Sequence, residues 1–140
     1  MQTFLPYKSF IKSAKTLDDK RLGRQRSEGK ILVNSIVFGN GWSKHPASKM
    51  WYSYVEALKL YTNCIIKEWI EREKNNNMEL YKIDYSNLAY PIWLGKKKFH
   101  SSHRSVLLFK YYSFYSQFGW KEDPKEKCWW PRKYFVTFKI

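Results

Sequence analysis

Two stretches of the chain carry apolar residues at helical spacing, and this periodicity limits its folds more than any other feature. Leu22, Gly29, Val33 and Ile36 fall at i, i+7, i+11 and i+14, which is one face of a helix. Trp51, Tyr54, Val55, Leu58, Ile65 and Trp69 form a second stripe. The first helix is expected over about residues 16–37, with Asp18 and Asp19 at its start and Phe38-Gly39-Asn40-Gly41 as its stop. The second is expected over about residues 46–74, because Pro46 suits a first helical position and Asn75-Asn76-Asn77 ends the pattern. A third is expected from Ser101 or Ser102 to about Phe118, with Val106, Leu107, Lys110 and Phe114 on one side and Gly119 as the stop. Residues 1–7 read as an extended lead-in and 78–93 as loop. The tail, about residues 121–140, is polar, then aromatic and basic, with a strand-like run at 134–138. The reading is all-α: one compact three-helix domain over residues 1–140.

Charge then narrows the partner. Lys and Arg outnumber Asp and Glu by 26 to 12, for a net charge of +14, spread along the whole chain. Such a surface repels itself and calls for an anionic partner, with nucleic acid ahead of a membrane surface. No run approaches the ~20 apolar residues of a membrane span. The opening Met1-Gln2-Thr3-Phe4-Leu5-Pro6 lacks the basic and long apolar regions of a secretory signal. Cys64 and Cys128 are far apart, and with three histidines they give no recognisable zinc spacing. A reduced, intracellular protein follows. Seven Trp, eleven Tyr and nine Phe exceed what a small core readily hides, and rings among cations suit stacking on bases.

The segment Leu17-Asp18-Asp19-Lys20-Arg21-Leu22-Gly23-Arg24-Gln25-Arg26-Ser27-Glu28 is the most informative. Arg21, Arg24, Gln25 and Glu28 share one helical face, and Glu28 is the only acid between Asp19 and Glu56. Two readings stay open at this point. Glu28 pairs with Arg24 at i, i+4 on a solvated helix, or it is a carboxylate set beside a sugar whose flanking phosphates the arginines clamp. His100, His103 and Arg104 near the start of the third helix suit an anion site. Lys97, in the run Lys96-Lys97-Lys98, suits the nucleic-acid backbone. Trp120 is a candidate base-stacking ring. His45, before Pro46, is a further candidate contact.

Four phrases carry a resemblance. Met1-Gln2-Thr3-Phe4-Leu5-Pro6, the 17–28 segment, His45-Pro46 and Phe99-His100-Ser101-Ser102-His103-Arg104 resemble the pyrimidine-dimer DNA glycosylase family of the phage endonuclease V type, through a branch of small proteins that share these phrases. The likeness spans about residues 1–120. It implies an all-helical domain with the N-terminal segment threaded between helices. It also implies a base-excision repair glycosylase with abasic-site lyase activity, acting on DNA with a damaged or extruded base and needing neither a metal nor a diffusible cofactor. An N-terminal α-amine would attack deoxyribose C1′ through an imine, and Glu28 matches the family's helix-one glutamate. Gln2 is too bulky for methionine removal, so Met1 itself would present the amine. Such amines titrate near pH ~8, so a useful fraction is neutral at physiological pH. Arg21 stands where the phage enzyme has a histidine, and Gln25 where it has an acid; Arg24 and Arg26 add charge nearby. The alternatives are a non-catalytic DNA-binding protein of the same fold, for packaging or processing, and an RNA-associated module.

Overall fold

A computed structural model describes residues 1–135 of the chain. The described residues form α1 (Phe10–Thr16), α2 (Asp19–Phe38), α3 (Pro46–Lys49), α4 (Val55–Glu71), α5 (Lys97–Lys110) and α6 (Tyr112–Tyr115), with three short 3-10 turns and no strand. The all-α expectation therefore holds, with α2, α4 and α5 as the three long helices. The strand-like run at 134–138 falls mostly outside the described residues; Tyr134 ends the 3-10 turn Arg132–Tyr134.

The boundaries shift where side chains override periodicity. Residues expected as one helix from 16 to 37 divide at Leu17 and Asp18, whose backbones are extended. The preceding helix, α1, starts at Ser9, whose Oγ accepts from the Lys12 N–H at 3.1 Å. The second expected helix breaks after α3, where the buried Trp51 donates its indole N–H to Thr3 Oγ1 at 3.0 Å. It resumes only at Val55, after Tyr54 adopts φ −134° and ψ 37°. The third begins about four residues earlier than expected, at Lys97, and ends at Tyr111, whose φ of −152° and ψ of 68° break the helix before α6.

Through this frame runs the N-terminal segment, threaded between helices as the resemblance implies. Thr3, Phe4 and Leu5 are buried, so their backbone groups need partners. Phe4 N–H donates to Gln25 Oε1 at 3.0 Å, and Tyr61 OH donates to the Phe4 carbonyl at 2.8 Å. Leu5 N–H donates to His103 Nδ1 at 2.9 Å, and the Leu5 carbonyl accepts from His100 Nδ1 at 2.8 Å. Arg104 Nη1 donates to the Pro6 carbonyl at 2.7 Å. Thus α2, α4 and α5 each hold part of one extended segment.

Many of the rings serve the core. Trp51 meets Trp93 edge-on at 4.9 Å, Trp93 meets Phe99 at 4.6 Å, and Phe10 meets Tyr61 at 5.7 Å. Pairs of this kind add about 0.5–1.5 kcal/mol each beyond the area they bury. Helices α2 and α4 approach so closely at Gly29 that a Cβ there would lie 2.4 Å from Thr62 Oγ1, a hydroxyl already donating to the Leu58 carbonyl. Gly29→Ala gains about 1 kcal/mol of helix propensity but overpacks the contact by about 1–3 kcal/mol. A net loss of stability is expected in urea unfolding; a stabilised variant would show that the two helices can separate at no cost.

Candidate active site

A cleft of about 190 Å³ is lined by Met1, Gln2, Phe4, Lys20, Arg21, Arg24, Gln25, Glu28 and Lys110. Helix α2 supplies the polar face expected from its spacing, the threaded segment supplies Met1 and Gln2, and the end of α5 supplies Lys110 across the gap.

Glu28 is held from one side only. Its Oε2 accepts from the Gln2 backbone N–H at 3.3 Å and from Gln25 Nε2 at 2.9 Å. Its Oε1 has no partner among the described residues, and the i, i+4 pair with Arg24 does not form. Gln25 is 1% exposed because its amide joins three elements: Oε1 accepts from Phe4 N–H and lies 2.9 Å from Tyr61 OH, whose single proton is shared between this oxygen and the Phe4 carbonyl, while Nε2 orients Glu28. Burial pushes the Tyr61 hydroxyl well above its ordinary pKa, so it stays a donor. The Met1 amine makes no hydrogen bond or ion pair among the described residues, with Glu28 or any other group. Four cations, Lys20, Arg21, Arg24 and Lys110, surround the single carboxylate.

The other candidate residues lie elsewhere. Arg26 packs its guanidinium on Trp69 at 4.5 Å and donates from Nη1 to Asn76 Oδ1 at 2.7 Å, which takes it away from the cleft. His100 and His103 were expected at a helix start facing phosphate. Both are buried, in the second turn of α5, and a buried ring cannot touch DNA. Gly95 N–H donates to His100 Nε2 at 2.9 Å, which fixes the proton on Nδ1 for Leu5. His103 accepts at Nδ1, leaving its buried Nε2 unpartnered. Arg104 is spent on the Pro6 carbonyl and on Glu122, reached by Nε at 3.1 Å and Nη2 at 3.0 Å. Trp120 stacks face to face on Tyr115 at 5.6 Å and donates its N–H to Tyr7 OH at 2.8 Å, so it presents no free face for a base there.

His45 begins α3, accepting from Ala47 N–H at Nδ1, between the rings of Trp42 and Trp130. Burial, then the N-terminal charge, lowers its pKa. Lys97 lines a different groove, of about 830 Å³, with Lys96, Lys98, Trp129, Trp130, Arg132, Lys133 and Tyr134. Cys128 also lines it and accepts from Gln2 Nε2 at 3.1 Å, so Gln2 stands between the groove and the cleft.

Sequence reasoning missed Lys20 and Lys110. Lys110 was counted on an apolar stripe of the third helix, and its place opposite Glu28 depends on how α5 docks. Lys20 follows Asp19 one turn before Arg24, on the flank of the same polar face, and could have been found from that spacing.

No curated protein and no solved structure matches the chain. Residues 1–82, which include the threaded segment and Glu28, match the model of the family described as pyrimidine dimer DNA glycosylase, and the chain belongs to that family.

Proposed function

We infer that this glycosylase attacks damaged duplex DNA with the Met1 α-amine and cleaves the resulting abasic site with the help of Glu28. The observation that carries the reading is that Met1 and Glu28 line one cationic cleft and that the Met1 amine and the Glu28 carboxylate do not pair with each other. A bridged pair would neutralise the carboxylate and tie up the amine, whereas an unpaired one leaves both available to an extruded deoxyribose.

The steps balance on these groups. The neutral amine forms a bond to C1′ as the bond from C1′ to the base breaks, and the base leaves with the bonding electrons. The C1′–O4′ bond then breaks and opens the ring, the proton that the amine gives up ends on O4′, and the imine forms. Glu28 Oε1 takes a proton from the sugar, at C2′ for the elimination that expels the 3′ phosphate. Water then releases the amine. Lys20, Arg21, Arg24 and Lys110 meet the phosphates on either side of the extruded nucleotide. Extrusion costs a few kcal/mol, less where the base is damaged. The Lys97 groove, with five cations and three rings in its lining, suits DNA backbone beyond the cleft.

Borohydride reduction during incubation with abasic-site duplex tests the proposal. A stable covalent adduct is expected, and peptide mass spectrometry should find it on the N-terminal peptide, residues 1–8. An adduct on Lys20 or Lys110 would move the nucleophile within the cleft and overturn the role of Met1. Tight binding with no adduct would leave the non-catalytic DNA-binding reading in its place.

A further inference from the structure

Asp18 stands at the start of α2, where a carboxylate ordinarily accepts from the first backbone N–H groups of the helix. It does not do so here: its side chain makes no capping hydrogen bond. Oδ1 instead accepts from Tyr115 OH at 2.5 Å, and Oδ2 accepts from Arg21 Nη1 at 3.2 Å. The Asp18 backbone N–H donates back to the same Tyr115 hydroxyl at 3.1 Å, which fixes that hydroxyl from two sides. Tyr115 is fully buried and is the one buried residue of α6. Its ring lies on Trp120, which Tyr7 in turn holds. A buried tyrosine from the far end of the chain therefore sets the rotamer of a carboxylate at the start of the catalytic helix.

The consequence falls on Arg21. Its link to Asp18 is its only hydrogen bond among the described residues, and its Nε is buried with no partner. The Tyr111 ring, 5.9 Å from the guanidinium, adds a weaker contact. Arg21 lines both the Met1–Glu28 cleft and a larger neighbouring cleft of about 930 Å³. We propose that Asp18 and Tyr115 are positioning residues, which hold the Arg21 guanidinium at the Met1–Glu28 cleft for a DNA phosphate. The inference rests on the cleft being the DNA site. It assigns to two residues outside the reacting groups the task of setting one phosphate contact.

A double-mutant cycle reads this directly, with affinity for abasic-site duplex as the measurement. Tyr115→Phe keeps the ring on Trp120 and removes the hydroxyl; about five-fold weaker binding is expected, the size of one ordinary hydrogen bond. Arg21→Ala is expected to weaken binding about ten-fold and to lower the salt slope by about one phosphate contact. In the Arg21→Ala background, Tyr115→Phe should have no further effect. An undiminished Tyr115→Phe loss in that background would mean a general structural role and overturn the proposal. So would unchanged binding by Tyr115→Phe alone. Asp18→Asn gives a second route if Tyr115→Phe fails to fold: it keeps an acceptor for the hydroxyl, weakens the hold on Arg21, and should show the same coupling. The borohydride adduct of the wild-type protein separates the two levels. An adduct together with a silent Arg21→Ala overturns the positioning role alone, and coupling without an adduct overturns the chemistry alone.

Discussion

Glu28→Gln is expected to bind abasic-site DNA as tightly as the wild-type protein, or slightly more tightly, and to cleave it about 10²–10⁴-fold more slowly in single turnover. The amide keeps the shape of the carboxylate and an oxygen for the Gln2 and Gln25 donors, so the floor of the cleft survives. It loses the negative charge that opposes phosphate among Lys20, Arg21, Arg24 and Lys110. It also loses the carboxylate oxygen that the proposed mechanism uses as its base. The measurement is the rate of strand cleavage under excess protein, with the affinity taken on the same duplex. Cleavage at the wild-type rate would assign the proton transfers to another group. Equal losses in binding and cleavage would point to a broken fold, and circular dichroism would detect that.

The second large effect is on stability in acid. Leu5 is held by two neutral imidazoles, and protonating either acceptor nitrogen destroys a backbone hydrogen bond. Burial, and then the neighbouring His100, lower the His103 pKa from 6.5 to about 3. Burial lowers His100 as well. A histidine depressed in this way contributes its stability in full above the unfolded value of 6.5. Below that value the unfolded chain takes up the proton and the folded one does not. Stability should fall by about 1.4 kcal/mol per pH unit below 6.5, levelling off near pH 3. Urea unfolding at successive pH values between 7 and 4 measures the slope. His103→Asn supplies an acceptor for Leu5 without a titrating ring and should flatten it. An equally steep fall in His103→Asn would trace the acid sensitivity to other groups.

The polar face of α2 was legible because a 100° step per residue decides which side chains share a side, whatever lies outside. Arg21, Arg24, Gln25 and Glu28 do line one cleft. The same rule says nothing about depth. Gln25 shares the face and is sealed beneath it, since the threaded segment and Tyr61 claim its amide. His100 and His103 were misplaced because their polarity outweighed their spacing. Phe99, His103 and Val106 stand at i, i+4 and i+7, all buried, and His100 shares a face with the buried Leu107. The break at Leu17–Asp18 was invisible for a related reason. Asp18 suits a helix start, but periodicity carried the helix back through it to Thr16; Asp18 is in fact the residue that precedes α2, where an extended backbone is ordinary, and Tyr115 holds its side chain. The meeting of Met1 with Glu28 came from the resemblance, since no local pattern brings a chain's first residue beside its first long helix.

The clasp on Leu5 also sets an order of events. The segment's partners His100, His103 and Arg104 lie 95–98 positions further along the chain, so closing the clasp is among the longest loop closures the molecule makes. Helices α1 to α4 can pair before then and take up Thr3 and Phe4 through Trp51, Gln25 and Tyr61, but the Leu5 backbone and the Pro6 carbonyl have no partner until α5 docks. During synthesis the cleft that Met1, Glu28 and Lys110 line is therefore among the last parts of the fold to close.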